Sequence, residues 1–132
     1  MRCEKTLGRL GSAPVNILVV DDEVELCTLL SRFLEKHGQR VYSAQDALQA
    51  FDILERVPIQ FIISDIRMPH VDGLRFVEIL KKDPRFQAVP IILFTAAPSE
   101  QVSNRGLKSG AAMVLDKPVD FDRLLNLVRF AE

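Results

Sequence analysis

The sequence predicts a doubly wound α/β domain: a five-stranded parallel sheet in the order 2-1-3-4-5 with helices on both faces. Three observations carry this. Apolar runs and amphipathic stretches alternate five times along the 132 residues. Several of the runs are almost unbroken in Val, Ile, Leu and Phe, the pattern of strands covered on both faces. The length fits one domain rather than two. Repeated strand–helix units close into an open parallel sheet through right-handed crossovers.

Residues 1–14, MRCEKTLGRLGSAP, are charged and Gly-containing and read as an N-terminal extension; the domain spans 15–132. The first strand is NILVV (16–20). The helix after it shows Leu26, Leu29, Leu30, Phe33 and Leu34 at helical spacing, with Gly38 where a C-terminal cap belongs. RVYSA (40–44) is the second strand, and Ala47, Leu48, Phe51 and Leu54 mark the second helix. QFIIS (60–64) precedes a third helix carrying Leu74, Val77 and Leu80. PIILF (90–94) precedes a fourth, from about Ser99 to Ser109. This helix offers mainly Val102 and Leu107 as anchors and has Gly106 inside it, where Gly costs about 1 kcal/mol relative to Ala. It is expected to be the least firmly docked. AMVL (112–115) is the last strand, and Phe121, Leu124, Leu125 and Val128 form the last helical stripe.

Lys plus Arg (17) nearly balances Asp plus Glu (18), so net charge builds no nucleic-acid or membrane surface. No run approaches the ~18 apolar residues of a membrane span, and the first residues lack the apolar centre of a signal peptide. Cys3 lies in the polar tail; Cys27 falls in a helical apolar pattern and reads as a buried thiol. No Cys/His cluster has zinc spacing. A reducing, cytoplasmic compartment is expected.

In an open parallel sheet, ligands sit at the carboxyl ends of the strands where the order reverses. Strand one ends in Asp21-Asp22-Glu23, strand three in Asp65, strand four in Thr95 and strand five in Asp116-Lys117-Pro118. Each is unremarkable as a loop residue. Together they converge, because strands one and three are neighbours in this order. Carboxylates about 4 Å apart repel by roughly 4 kcal/mol per pair at an effective dielectric near 20. A hard divalent cation relieves this, and Mg²⁺ typically takes one or two carboxylates. Lys117 adds an ammonium and Thr95 a hydroxyl. Such a set stabilises phosphoryl oxygens, with Asp65 as nucleophile.

ILVVDDE, IISDIRMPHVDG, IILFTAA and VLDKP stand in this order along the chain. In this the sequence resembles the receiver domain of two-component response regulators, from about Val15 to Ala131. The resemblance implies that Asp65 accepts a phosphoryl group, that Thr95 is the switch residue and that Lys117 binds the phosphoryl group. It implies Mg²⁺ held by Asp22, Asp65 and the backbone carbonyl of Arg67, with Asp21 acting mostly through water. It implies a cis bond before Pro118. The expected donor is a histidine kinase or a histidine phosphotransfer protein. The expected recipient is an output domain or downstream protein that the sequence does not name. Direct nucleic-acid binding and membrane insertion are not expected. The resemblance also admits a dimer through the face of the fourth helix, fifth strand and fifth helix. The short last helix favours a receiver cut from a longer protein. Enzymatic work is expected to be limited to the domain's own phosphotransfer and dephosphorylation.

Some positions depart from common family choices. Val114 stands three residues before Lys117, where Tyr or Phe is frequent. Arg67 and Ala97 flank the phosphoryl position. The competing reading is a receiver used only for binding, its acids and Lys117 forming an inert salt-bridge cluster. A haloacid-dehalogenase phosphatase would want a second Asp where Arg67 stands. The GxxxxGK[ST] of a P-loop NTPase is absent, and three acids occupy the place of a flavin phosphate loop. His70 reads as a solvated loop residue, His37 as a helix C-terminal residue favoured by the dipole, Asp72 as a helix cap and Gly73 as a turn residue.

Overall fold

The computed structural model describes residues 14–130. The extension expected over 1–14 therefore lies, apart from Pro14, outside the described residues, as does Cys3. The elements are β1 (Asn16–Val20), α1 (Val24–Lys36), β2 (Arg40–Ala44), α2 (Ala47–Arg56), β3 (Phe61–Asp65), α3 (Gly73–Lys81), β4 (Ile91–Thr95), α4 (Glu100–Ser109), β5 (Met113–Asp116) and α5 (Phe121–Phe130). The sheet is parallel, in the order β2-β1-β3-β4-β5. Strands three to five begin and end one residue later than the apolar runs suggested, because ladder pairing carries Asp65, Thr95 and Asp116 into the strands.

Two apolar cores sandwich the sheet. Ile17, Val19, Phe61, Ile63, Ile92 and Phe94 face α1 and α5. Leu18, Val20, Ile62, Ile91 and Leu93 face the other side, where Phe76, Val77 and Leu80 of α3 pack. This alternation along strands buried on both sides explains why the runs are continuously apolar.

The buried helical stripes differ from the expected ones. Leu29, Leu48 and Leu107 are all at least half exposed. The inward positions are Cys27, Leu30 and Leu34 in α1, and Ala47, Ala50 and Leu54 in α2. At about 100° per residue, Leu29 lies about 130° from the centre of the α1 stripe. Small residues bring helices close to the sheet, and a reading weighted by side-chain size passes over them. Gly106 is the only buried residue of α4. The caps are local. Asp46, Asp72 and Ser99 accept from Gln49, Arg75 and Val102 amides, and Gly38 and Gly110 close α1 and α4 in the left-handed region.

Candidate functional site

The carboxyl ends of β1, β3, β4 and β5 bring the predicted residues to one edge. Asp21 follows β1, and its amide donates to Ala44 O at 3.0 Å. It is 2% exposed. Its Oδ1 accepts from the Glu23 amide at 2.9 Å and its Oδ2 from Lys117 Nζ at 3.0 Å. Asp65 is the last residue of β3 and is buried. Its bonds are longer: the Arg67 amide reaches Oδ1 at 3.3 Å, and Lys117 Nζ reaches Oδ2 at 3.2 Å. Asp22 is exposed. One carboxylate oxygen from each of Asp21, Asp22 and Asp65 lies within 4.8 Å of the others.

Thr95 closes β4 and is buried. Its Oγ1 accepts from the Ala97 amide at 3.0 Å. Its carbonyl accepts from the Lys117 amide at 2.8 Å, so the end of β4 positions the lysine backbone. The Lys117–Pro118 bond is cis. Gly73 has a larger role than the turn expected of it. Its amide donates to Ile66 O at 2.7 Å, and a Cβ there would run into the Asp65 carbonyl oxygen and Ile66 Cα. The first turn of α3 thus rests on the backbone carrying Asp65. Asp72 caps that helix as expected. His70 is exposed with a φ of 72°, and His37 Nδ1 lies 2.9 Å from Phe33 O at the end of α1.

Burial is the largest influence on the Asp21 carboxyl and raises its pKa, outweighing the Glu23 amide and the Lys117 ammonium; the charge of Asp65 adds to the rise. Burial alone would lower Lys117. Hydrogen bonds to Glu23 and Asp21 and the charge of Asp65 instead hold it well above the usual lysine range. Cys27 is buried as expected, donates to Asp21 O at 3.3 Å, and is pushed up to about 11 by burial and then by the Asp21 charge.

Asp21, Asp22, Glu23 and Asp65 oppose the single ammonium of Lys117, so the cluster has an excess of negative charge. Hard oxygen donors without thiol or imidazole fit Mg²⁺ rather than a softer metal. With one oxygen from each acid within 4.8 Å of the others, the three are close enough to share one ion directly or through water.

The family model described as the response regulator receiver domain matches residues 17–129. The chain belongs to that family. Rre1 of Synechocystis sp., a response regulator, is 38% identical over 117 residues, covering 88% of this chain and 51% of that protein. The transcriptional regulatory protein ZraR of Klebsiella oxytoca is 40% identical over 116 residues, covering 87% of this chain and 26% of that protein. The chain thus spans about half and about a quarter of these relatives. The chemotaxis response regulator CheY4 of Vibrio cholerae superposes with a TM-score of 0.83 at 27% identity, covering 91% of this chain and all of that one.

Receiver domains are phosphoaccepting modules of two-component signalling. They bind Mg²⁺ at an acidic Asp cluster and interact with histidine kinases and output domains. Among the described residues of this receiver, no helix is long and apolar enough to cross a membrane. Sequence reasoning placed the acids, Thr95 and Lys117 at this edge, and they are there. It noted Glu23 as an acid but gave it no role; its Oε1 lies 2.9 Å from Lys117 Nζ. The only signal was that Glu23 is the third acid in a row.

Proposed function

We propose that Asp65 accepts the phosphoryl group. The observation that carries this is a buried carboxylate at the end of β3 whose two oxygens have only long contacts, one of them with Lys117. The longer of them, from the Arg67 amide to Oδ1, exchanges easily and frees that oxygen, while Oδ2 stays beside Lys117. An Asp65 oxygen bonds to phosphorus while the phosphorus–nitrogen bond of a donor phosphohistidine breaks, and the imidazole nitrogen keeps the electron pair and takes a proton. Lys117 donates to one phosphoryl oxygen. The Thr95 hydroxyl, now an acceptor from Ala97, donates its own proton to another.

Asp22, Asp65 and the Arg67 backbone carbonyl would hold Mg²⁺ directly, with Asp21 acting through water. Both Asp21 oxygens already accept strong hydrogen bonds, whereas Asp22 faces solvent, which supports this division. When bound, the ion offsets the repulsion between the acids and the phosphoryl oxygens.

A histidine kinase or histidine phosphotransfer protein is the donor in this reading, and an output domain or downstream protein receives the signal. The receiver catalyses only its own phosphotransfer and dephosphorylation. The face of α4, β5 and α5 is the place for a dimer, and the compartment is the cytoplasm. Residues 1–14 precede a receiver unit over 15–132.

Incubation with acetyl phosphate and Mg²⁺ should add one phosphoryl mass to the intact protein. Asp65→Asn should abolish the adduct, as should omission of the metal. An Asp65→Asn variant phosphorylated as fast as the parent would remove Asp65 from this role.

A further inference from the structure

We propose that Glu23 is a positioning residue that holds Lys117 in the resting site and must release it when the phosphoryl group arrives. The inference rests on reading Asp65 as the acceptor.

A lysine ammonium has three donors. In Lys117 each has a carboxylate: Asp21 Oδ2 at 3.0 Å, Glu23 Oε1 at 2.9 Å and Asp65 Oδ2 at 3.2 Å. The lysine side chain is 14% exposed, so it has little room for a fourth partner. A phosphoryl oxygen can bond to Lys117 only if one carboxylate yields. Asp21 is poorly placed to yield. Its side chain is 3% exposed, and its other oxygen is held by the Glu23 amide. Asp65 carries the arriving group and remains in place. The side chain of Glu23 is 62% exposed, so water can replace the ammonium at little cost. Glu23 is therefore the partner that lets go.

A second observation agrees. Glu23 occupies the N-cap of α1 and makes no side-chain capping hydrogen bond. Ser, Thr, Asp and Asn are the residues favoured there, because a short side chain reaches back to the first-turn amides. Glu23 forgoes that bond and reaches across to a lysine 94 positions away. Its side chain therefore acts on Lys117 and leaves α1 uncapped.

Resting occupancy of Lys117 by Glu23 opposes phosphoryl binding and lets the lysine return once the phosphoryl group has gone. Removing that competition should tighten the phosphoryl-bound state about 1.5- to fivefold, the range set by one exposed ion pair.

The test uses beryllofluoride, a phosphoryl mimic, titrated in saturating Mg²⁺ with the parent and the variants Glu23→Ala and Glu23→Asp. Aspartate keeps the charge but is one methylene shorter and is a favoured N-cap. Both variants should bind beryllofluoride more tightly than the parent, and both should phosphorylate faster with acetyl phosphate. Glu23→Asp should leave Mg²⁺ affinity unchanged, a split that a folding defect would not produce. Tightening by Glu23→Ala alone, with Glu23→Asp matching the parent, would show a general charge effect and overturn the holding role. So would equal affinity across all three proteins. A parent that takes up neither beryllofluoride nor phosphoryl would overturn the acceptor reading itself, and this inference with it.

Discussion

At the scale of single residues, the site is held in a state that its own acids disfavour. Asp21 is buried beside Asp65, and its pKa is raised above the ordinary value of 3.8, chiefly by burial. The folded protein therefore binds the Asp21 proton more readily than the unfolded chain does. By linkage, the ionised group lowers stability as pH rises from near 4 through the raised value, and protonation relieves the loss. Asp21→Asn carries no charge and keeps one acceptor oxygen, which can serve the Glu23 amide or Lys117 but not both, so relief of the buried charge is set against one lost hydrogen bond. Without Mg²⁺ at pH 7 it should melt a few degrees above the parent, as followed by circular dichroism. The gap should close as pH falls through the raised value, where the parent's Asp21 takes up its own proton. A variant that melts lower at pH 7 would show that the Lys117 pair outweighs the burial cost. Asp21, Asp22, Asp65, Thr95 and Lys117 were legible in the sequence because polar residues ending buried strands must meet at one edge. Glu23 was not, because its role depends on where the ends of β1 and β5 fall across the intervening β3 and β4, which no local pattern contains.

At the scale of elements, α4 shows how far periodicity reaches. The helix was legible from about Ser99 to Ser109, and its shortage of apolar anchors matches its single buried residue. Which residue docks it was not legible. Leu107 is 50% exposed, and Gly106 is the buried position. A Cβ on Gly106 would meet Val114 Cγ2, with Leu93 Cδ1 at 3.4 Å. The glycine that looked like a flaw in the helix is its contact with the sheet. A larger side chain in place of Val114 would change this packing. Gly106→Ala should gain about 1 kcal/mol of helix propensity and lose about 1–3 kcal/mol to overpacking. The expected net is a destabilisation of up to about 2 kcal/mol in urea unfolding. Adding Val114→Ala opens space for the new methyl, so the double variant should lose less than the sum of the two single ones. Strict additivity would mean that the two side chains do not meet.

At the scale of the whole molecule, the resting contacts indicate which part responds to Asp65. The sheet is tied on one face by α1 and α5, whose Leu30, Leu34, Leu124 and Val128 are essentially sealed from solvent. On the other face α2 and α3 bury Ala50, Phe76 and Val77. In α4 the one buried residue is Gly106, and no large side chain of the helix is sealed from solvent. Opening a segment costs least where few apolar contacts break. Thr95 connects the site to that segment, because its Oγ1 accepts the Ala97 amide at 3.0 Å. If the Thr95 hydroxyl turns toward a phosphoryl oxygen, the Ala97 amide loses its partner and the chain entering α4 must rearrange. Val114 is β-branched and short, so it has few rotamers with which to absorb the change. Backbone movement from Ala96 onward and a shift of α4 then carry the response. Hydrogen exchange with and without beryllofluoride tests this: protection should change across residues 96–111 while α1 and α2 scarcely respond. Unchanged exchange across that segment, with beryllofluoride binding at Asp65 established independently, would send the signal out through a different surface.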